Sequence, residues 1–212
     1  MTREKIFGIS LITMVLVITL FIFNNAETID NKTVTPNTET KKEASEVQTI
    51  EATAELTNYF ATLEDLLSKA DLVVEGRVKS QETIVHGEMP FTISEVKVKS
   101  NLLEGKTKDT IKVIETGGVY SPIGRDGKKL PKVNMKLNGV DTLKINEHVL
   151  LFLEEFDGPQ LEGGYVPVGA YQGKFKVKDG TTLEQITDVE NQLSPEEMKQ
   201  IKTIGKLKEK IK

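Results

Sequence analysis

Residues 70–80 read A-D-L-V-V-E-G-R-V-K-S. Leu72, Val74, Gly76 and Val78 take one parity, and Val73, Glu75, Arg77 and Lys79 the other. The stretch therefore predicts a β-strand that starts buried on both faces and becomes half exposed. Gly76 inside such a run marks a bulge, or the sharp bend a small barrel needs. Just upstream, T-L-E-D-L-L-S-K-A (62–70) offers Thr62 as an N-cap three residues before Asp65, a variant of the capping box. Leu63, Leu66 and Leu67 fall on one helical face. Order is expected to begin near Tyr59, with this short helix plugging one end of the barrel.

The following residues continue the β pattern. In F-T-I-S-E-V-K-V-K-S (91–100), Phe91 and Ile93 lie on one parity and Val96 and Val98 on the other, so a bulge near Ser94 and Glu95 is expected to restore one buried face. A third strand, T-I-K-V-I-E-T (110–116), is ended by Gly117 and Gly118. A fourth, H-V-L-L-F-L-E-E-F (148–156), follows the turn residues Asn146 and Glu147. Y-V-P-V-G-A-Y (165–171) and G-K-F-K-V-K (173–178) read as further strands, and Asp179-Gly180 turns the latter into a last short strand at 181–186. Ser194-Pro195-Glu196-Glu197 then supplies an N-cap, a proline at N1 and a capping-box glutamate. Met198, Ile201, Ile204, Leu207 and Ile211 form the apolar stripe of a C-terminal helix, which is expected to pack on the barrel rather than lie on a membrane. Short, regularly spaced strands with few helices predict a mainly β protein built on a small antiparallel barrel.

The compartment is read from the other end of the chain. Residues 6–23 carry no charge and follow Arg3 and Lys5. That length lies between a signal-peptide core and a spanning helix, so residues 1–26 are expected to be either a retained anchor or a cleaved signal. Held by its basic flank, such a segment places the rest of the chain outside the cytoplasm, on the membrane or secreted. Residues 27–50 have no aromatic residue and many Thr, Glu, Lys and Asn, which predicts a flexible polar stalk. The barrel domain is then expected over 51–193, with the helix over 194–212. The 212 residues contain no cysteine, which excludes disulfides, thiolate metal sites and a cysteine nucleophile. A net charge of −4 argues against nucleic-acid binding.

These stretches together resemble the OB-fold module shared by tissue inhibitors of metalloproteinases and netrin C-terminal domains. The resemblance rests on the short helix, A-D-L-V-V-E-G-R-V, V-K-V-K-S-N-L-L-E-G-K, D-T-I-K-V-I-E-T and L-K-I-N-E-H-V-L-L-F-L, covering roughly residues 60–156. The chain also resembles cysteine-free exported bacterial proteins. What the resemblance implies is an OB-like barrel used for binding. The inhibitors' mechanism needs an N-terminal cysteine on the catalytic zinc, and no residue here can supply it.

No H-E-x-x-H, G-x-S-x-G, phosphate-binding or dinucleotide-binding glycine motif occurs. His86 and His148 are the only histidines, one in an expected loop and one at a strand start, and neither has an acid–base companion in sequence. Ser121 has no motif around it. Glu154, Glu155, Asp157 and Glu162 cluster near a turn without calcium-loop spacing. Tyr165, Tyr171 and Phe175 lie in a Gly-rich hairpin, and core packing is the expected use of their rings. The best candidate is residues 117–139, a long excursion with Arg125, Lys128, Lys129, Lys132 and Lys136 against Asp126 alone. Arg125, Lys128, Lys129 and Lys132 are the expected binding residues; a solvated excursion or a hairpin extending the sheet is the structural alternative for this segment.

The expected function is non-catalytic binding at the cell envelope, with an envelope protein or anionic polymer as partner, the membrane engaged through the N-terminal segment, and no cofactor. The alternatives are a protease inhibitor acting by loop insertion and, further off, a hydrolase.

Overall fold

The strand read from residues 70–80 is longer than its opening pattern and organises the molecule. The structure, a computed structural model, describes residues 47–212 apart from 57, 106, 107, 159–161 and 189. The N-terminal segment and most of the expected stalk lie outside the described residues. The elements in chain order are β1 (Gln48–Ala52), α1 (Leu63–Lys69), β2 (Leu72–His86), β3 (Met89–Asn101), β4 (Thr110–Thr116), β5 (Gly118–Tyr120) and β6 (Val133–Leu137). They continue with β7 (His148–Phe156), β8 (Gly164–Pro167), β9 (Lys174–Lys178), β10 (Thr182–Gln185), α2 (Pro195–Gln200) and α3 (Ile204–Ile211).

Five strands close on themselves in the order β2-β3-β4-β8-β7 and back to β2. All seams are antiparallel except β4–β8, a parallel contact at Val113 and Tyr165. This is the Greek-key connectivity of an OB barrel. Beyond β7, β9 and β10 extend the same sheet, and β1, β6 and β5 form a separate three-stranded sheet.

The period of two explains why there are two cores. Leu72, Val74, Val78, Val96, Val113, Val149 and Leu151 fill the barrel lumen. The other parity of the same strands, with Val73, Leu150 and Phe152, joins Phe175 on the outer face, where Phe152 and Phe175 rings lie 5.6 Å apart. Those outward apolar residues need a cover, and Leu63 and Leu66 of α1, Ile201 just after α2 and Leu207 of α3 supply it. α1 therefore lies against the outside of the barrel and does not plug its end. Its capping box is formed as expected: Thr62 Oγ1 accepts from Asp65 N at 3.1 Å, and Asp65 Oδ2 accepts from Thr62 N at 3.1 Å.

The bulges differ in position from the expectation at one site. At Gly76 the register of β2 on β3 slips between Glu75 and Gly76, as the glycine implied. A Cβ there would sit 2.7 Å from Lys97 O, so only glycine permits that approach. The second slip lies between Val78 and Ser80, which places the extra residue, Lys79, on β2. β3 runs against β4 in unbroken register through Ser94 and Glu95. The parity change in β3 has another cause: Thr92 and Ser94 share the face of Val96 as buried polar residues, while Phe91 and Ile93 join an apolar cluster on the opposite face.

The described residues are already strand from Gln48, well before Tyr59, so the end of the expected stalk is β1. The C-terminal helix is two helices, broken at Ile201–Thr203, where Leu183 N donates to Lys202 O and Ile204 N to Thr181 O. The break lets this segment cover the edge of β10, which would otherwise present unpaired backbone groups. Asp179 and Gly180 both take positive φ, 49° and 74°, in the expected tight turn between β9 and β10.

Candidate functional site: a basic hairpin tip

Residues 117–139 form a hairpin rather than a loose loop, but it does not extend the barrel sheet: its strands belong to the separate three-stranded sheet. Gly117 and Gly118 have φ of 112° and 114°, backbone that only glycine adopts without strain. A Cβ on Gly118 would sit 2.0 Å from Thr92 Oγ1. This pair of glycines lets the chain leave the barrel wall at once after β4. β5 then pairs with β6, and β1 adds in parallel on the far side of β6.

Beyond Tyr120 and Val133 the hairpin ends in a hydrogen-bonded tip. Gly124 N donates to Lys128 O at 2.8 Å, Gly127 N to Gly124 O at 2.9 Å, and Leu130 N to Pro122 O at 2.8 Å. Asp126 Oδ1 accepts from Lys128 N at 3.1 Å. All four expected binding residues, Arg125, Lys128, Lys129 and Lys132, are exposed here. Lys128 lies 3.3 Å from Asp126. Arg125, Lys129 and Lys132 have no ion-pair partner among the described residues. Lys136 sits apart, paired with Asp141 at 3.1 Å. Burial alone would raise the Asp141 carboxyl, but Lys136, Asn134 and Lys144 outweigh it and hold it below its ordinary range.

Two other polar clusters are fully engaged. Lys174 Nζ lies 2.7 Å from Glu115 Oε1, with both side chains 3% exposed, and donates to Asp141 O at 2.9 Å. Glu115 Oε2 accepts from Leu143 N at 3.0 Å. The pair thus staples Asp141–Leu143, the segment returning from the three-stranded sheet, onto the barrel. A buried pair of this kind gives little net stability, but losing one partner strands a charge, at about 3–5 kcal/mol. The adjoining cavity of about 70 Å³, walled by Phe91, Phe156 and Tyr171 among others, is small beside the roughly 300–1,000 Å³ of small-molecule sites. A sequence signal was available for Glu115 alone: it has the parity of Ile111 and Val113 and therefore points inward.

The second cluster lines an open cleft of about 460 Å³ with Arg77, Lys144, His148 and Lys176. Each of these is already committed. Arg77 Nη1 donates to Asn146 O at 2.6 Å, Lys176 pairs with Glu147 at 3.2 Å and Lys144 with Asp141 at 3.6 Å. His148 Nε2 lies 3.0 Å from Glu75 Oε1, which Lys99 also approaches at 2.6 Å. Burial pushes the Glu75 carboxyl up, and the hydrogen bonds from Lys99 and His148 outweigh it, so the group stays below its ordinary range.

The remaining sequence candidates are dispersed. His86 lies at the Met89 end of β2 and His148 opposite Arg77, so the histidines are not brought together. Among the described residues no group of three or more His, Asp or Glu is placed to hold a metal ion. Phe175 is fully buried and Tyr171 2% exposed, its hydroxyl donating to Asp188 at 2.6 Å, while Tyr165 packs against the lumen cluster. The rings are core, as expected, but the segment is not the expected hairpin: β8 and β9 each pair with β7 rather than with one another. Sequence reading missed the apolar residues at the tip: Ile123 is 61% and Leu130 47% exposed.

Fold and tip together define an OB-type barrel that presents a basic, partly apolar hairpin. Comparison with protein-family models, with curated proteins and with solved structures finds no match.

Proposed function

We propose that the protein is a non-catalytic binding module of the cell envelope, displayed outside the cytoplasm, that presents the β5–β6 tip to an anionic partner. The observation that carries this reading is the contrast among the clusters of cations. Those of the cleft and the barrel wall are matched by carboxylates or carbonyls, whereas Arg125, Lys129 and Lys132 stand exposed on a hydrogen-bonded turn with no ion-pair partner among the described residues. Cations left uncompensated in a chain of net charge −4 create a local field that draws anionic groups, and a closed turn costs little ordering when they bind.

The test is retention of the full-length chain on an immobilised polyanion. Replacing Arg125, Lys128, Lys129 and Lys132 with Gln should lower the salt needed for elution, whereas replacing Lys178, Lys199, Lys202 and Lys208 should change it little. The tip variant eluting with the parent chain sinks the assignment.

A further inference from the structure

Four of the seven large apolar side chains that stay exposed among the described residues, Val47, Val119, Ile123 and Leu130, belong to the three-stranded sheet and its tip. Singly, such residues are ordinary on a protein surface. Here they accompany Arg125, Lys129 and Lys132. A soluble anionic polymer would satisfy the cations but leave Ile123 and Leu130 in water. The headgroup zone of an anionic bilayer meets both needs, phosphate for the cations and the acyl boundary for the apolar side chains.

Strand register supplies a second, independent observation. Gln48 is the partner of Val133, the residue after Lys132, and Tyr120 pairs with the same Val133. The parallel strand β1 therefore starts at the tip end of the sheet. By alternation Val47 shares a face with Thr49, Asn134 and Val119. Val47, the first described residue, thus lies at the tip end of the sheet. Only residues 24–46 separate that point from the uncharged stretch 6–23.

We infer that the β5–β6 tip docks on the anionic lipid headgroups of the membrane that holds residues 6–23. The inference rests on the binding reading above and names its partner. Arg125, Lys129 and Lys132 contact lipid phosphates, Ile123 and Leu130 enter the acyl boundary, and Val47 and Val119 face the interface at its rim. Because the same chain holds both ends, docking is intramolecular, and contacts too weak to recruit a free domain suffice to orient this one.

The absence of cysteine makes the test direct. Ile123→Cys in the full-length chain takes one environment-sensitive dye, and Lys208→Cys on α3 serves as the reference. Both chains are reconstituted in phosphatidylcholine vesicles with and without phosphatidylglycerol. The dye at 123 should shift to the blue and be quenched by brominated lipid in the anionic vesicles only, with the signal reversed in about 1 M salt, where the screening length is near 3 Å. Adding the Arg125→Gln, Lys129→Gln and Lys132→Gln changes should cut the docked fraction by a factor on the order of ten or more. A dye at 123 equally wet in both vesicle types overturns the lipid assignment, as does equal quenching at 123 and 208. If that wet dye responds instead to a soluble acidic polymer, the anionic-partner reading stands and only its lipid identity fails. If it responds to neither, both fail.

Discussion

Tyr171 shows how a single buried polar group is kept in place. Its hydroxyl donates to Asp188 and accepts from Asn138 Nδ2 at 2.9 Å, on a ring almost wholly enclosed. Burial, with the Asp188 carboxylate beside it, pushes its pKa from the ordinary 10.0 up to about 12. The fold thus prefers the protonated phenol. That preference is fully present below pH 10 and is lost as pH rises through about 12, so it destabilises the folded chain only in strong alkali. With no tryptophan in the chain, near-ultraviolet absorbance reports tyrosinate alone. A titration should show a late step near pH 12 that Tyr171→Phe removes; a step unchanged by the substitution would contradict the assignment. Individual residues of this kind were only partly legible in the sequence. The inward parity of Glu115 can be read from Ile111 and Val113, but its partner Lys174 cannot, because the two meet only once β9 has been laid beside β7.

Among the elements, the helices carry one device that sequence reading placed wrongly. Glu197 reads as the glutamate of a capping box, and Ser194 Oγ does accept from Glu197 N at 3.2 Å. The Glu197 carboxylate, however, accepts from Leu63 N at 3.0 Å, capping the first turn of α1 instead of its own helix. One side chain therefore joins two helices far apart in the chain. Glu196 and Glu197 both lie in the first turn of α2, so they share any benefit from the helix dipole. Glu197→Ala should cost about 1.5–3 kcal/mol in urea unfolding, the worth of a hydrogen bond to a charged group, and Glu196→Ala within about 0.5 kcal/mol. Equal costs would show that the bridge to α1 contributes nothing. Local signals found α1, β2, β4, β7 and the Asp179-Gly180 turn because their information lies in adjacent residues. They missed β1, whose Q-T-I-E-A reads as polar stalk and becomes a strand only through β6.

For the whole molecule, closure depends on a thin seam. β8 holds β7 through four residue pairs, Leu153 to Phe156, but shares only one backbone-paired position with β4, Val113 with Tyr165. Local opening starts where few backbone bonds and few apolar contacts must break. Amide exchange should therefore be fastest at β8 within the barrel and slowest at β2 and β7, which carry the lumen residues; uniform protection around the barrel would refute this. The barrel itself was legible because short apolar strands recur at regular spacing between turn residues, whereas the division into lumen and helix-covered faces depends on which parity the helices reach. The parallel pairing of β1 with β6 also has a consequence for how the chain is made. During synthesis β1 emerges long before its partner, and at about 5–20 residues per second the delay between Gln48 and Val133 is on the order of ten seconds. Throughout that interval β1 is an orphan ribbon next to whatever else is leaving the ribosome or crossing the membrane. Its glutamine, threonine and glutamate, which disguised it as a stalk, are what keep such a ribbon from sticking while it waits.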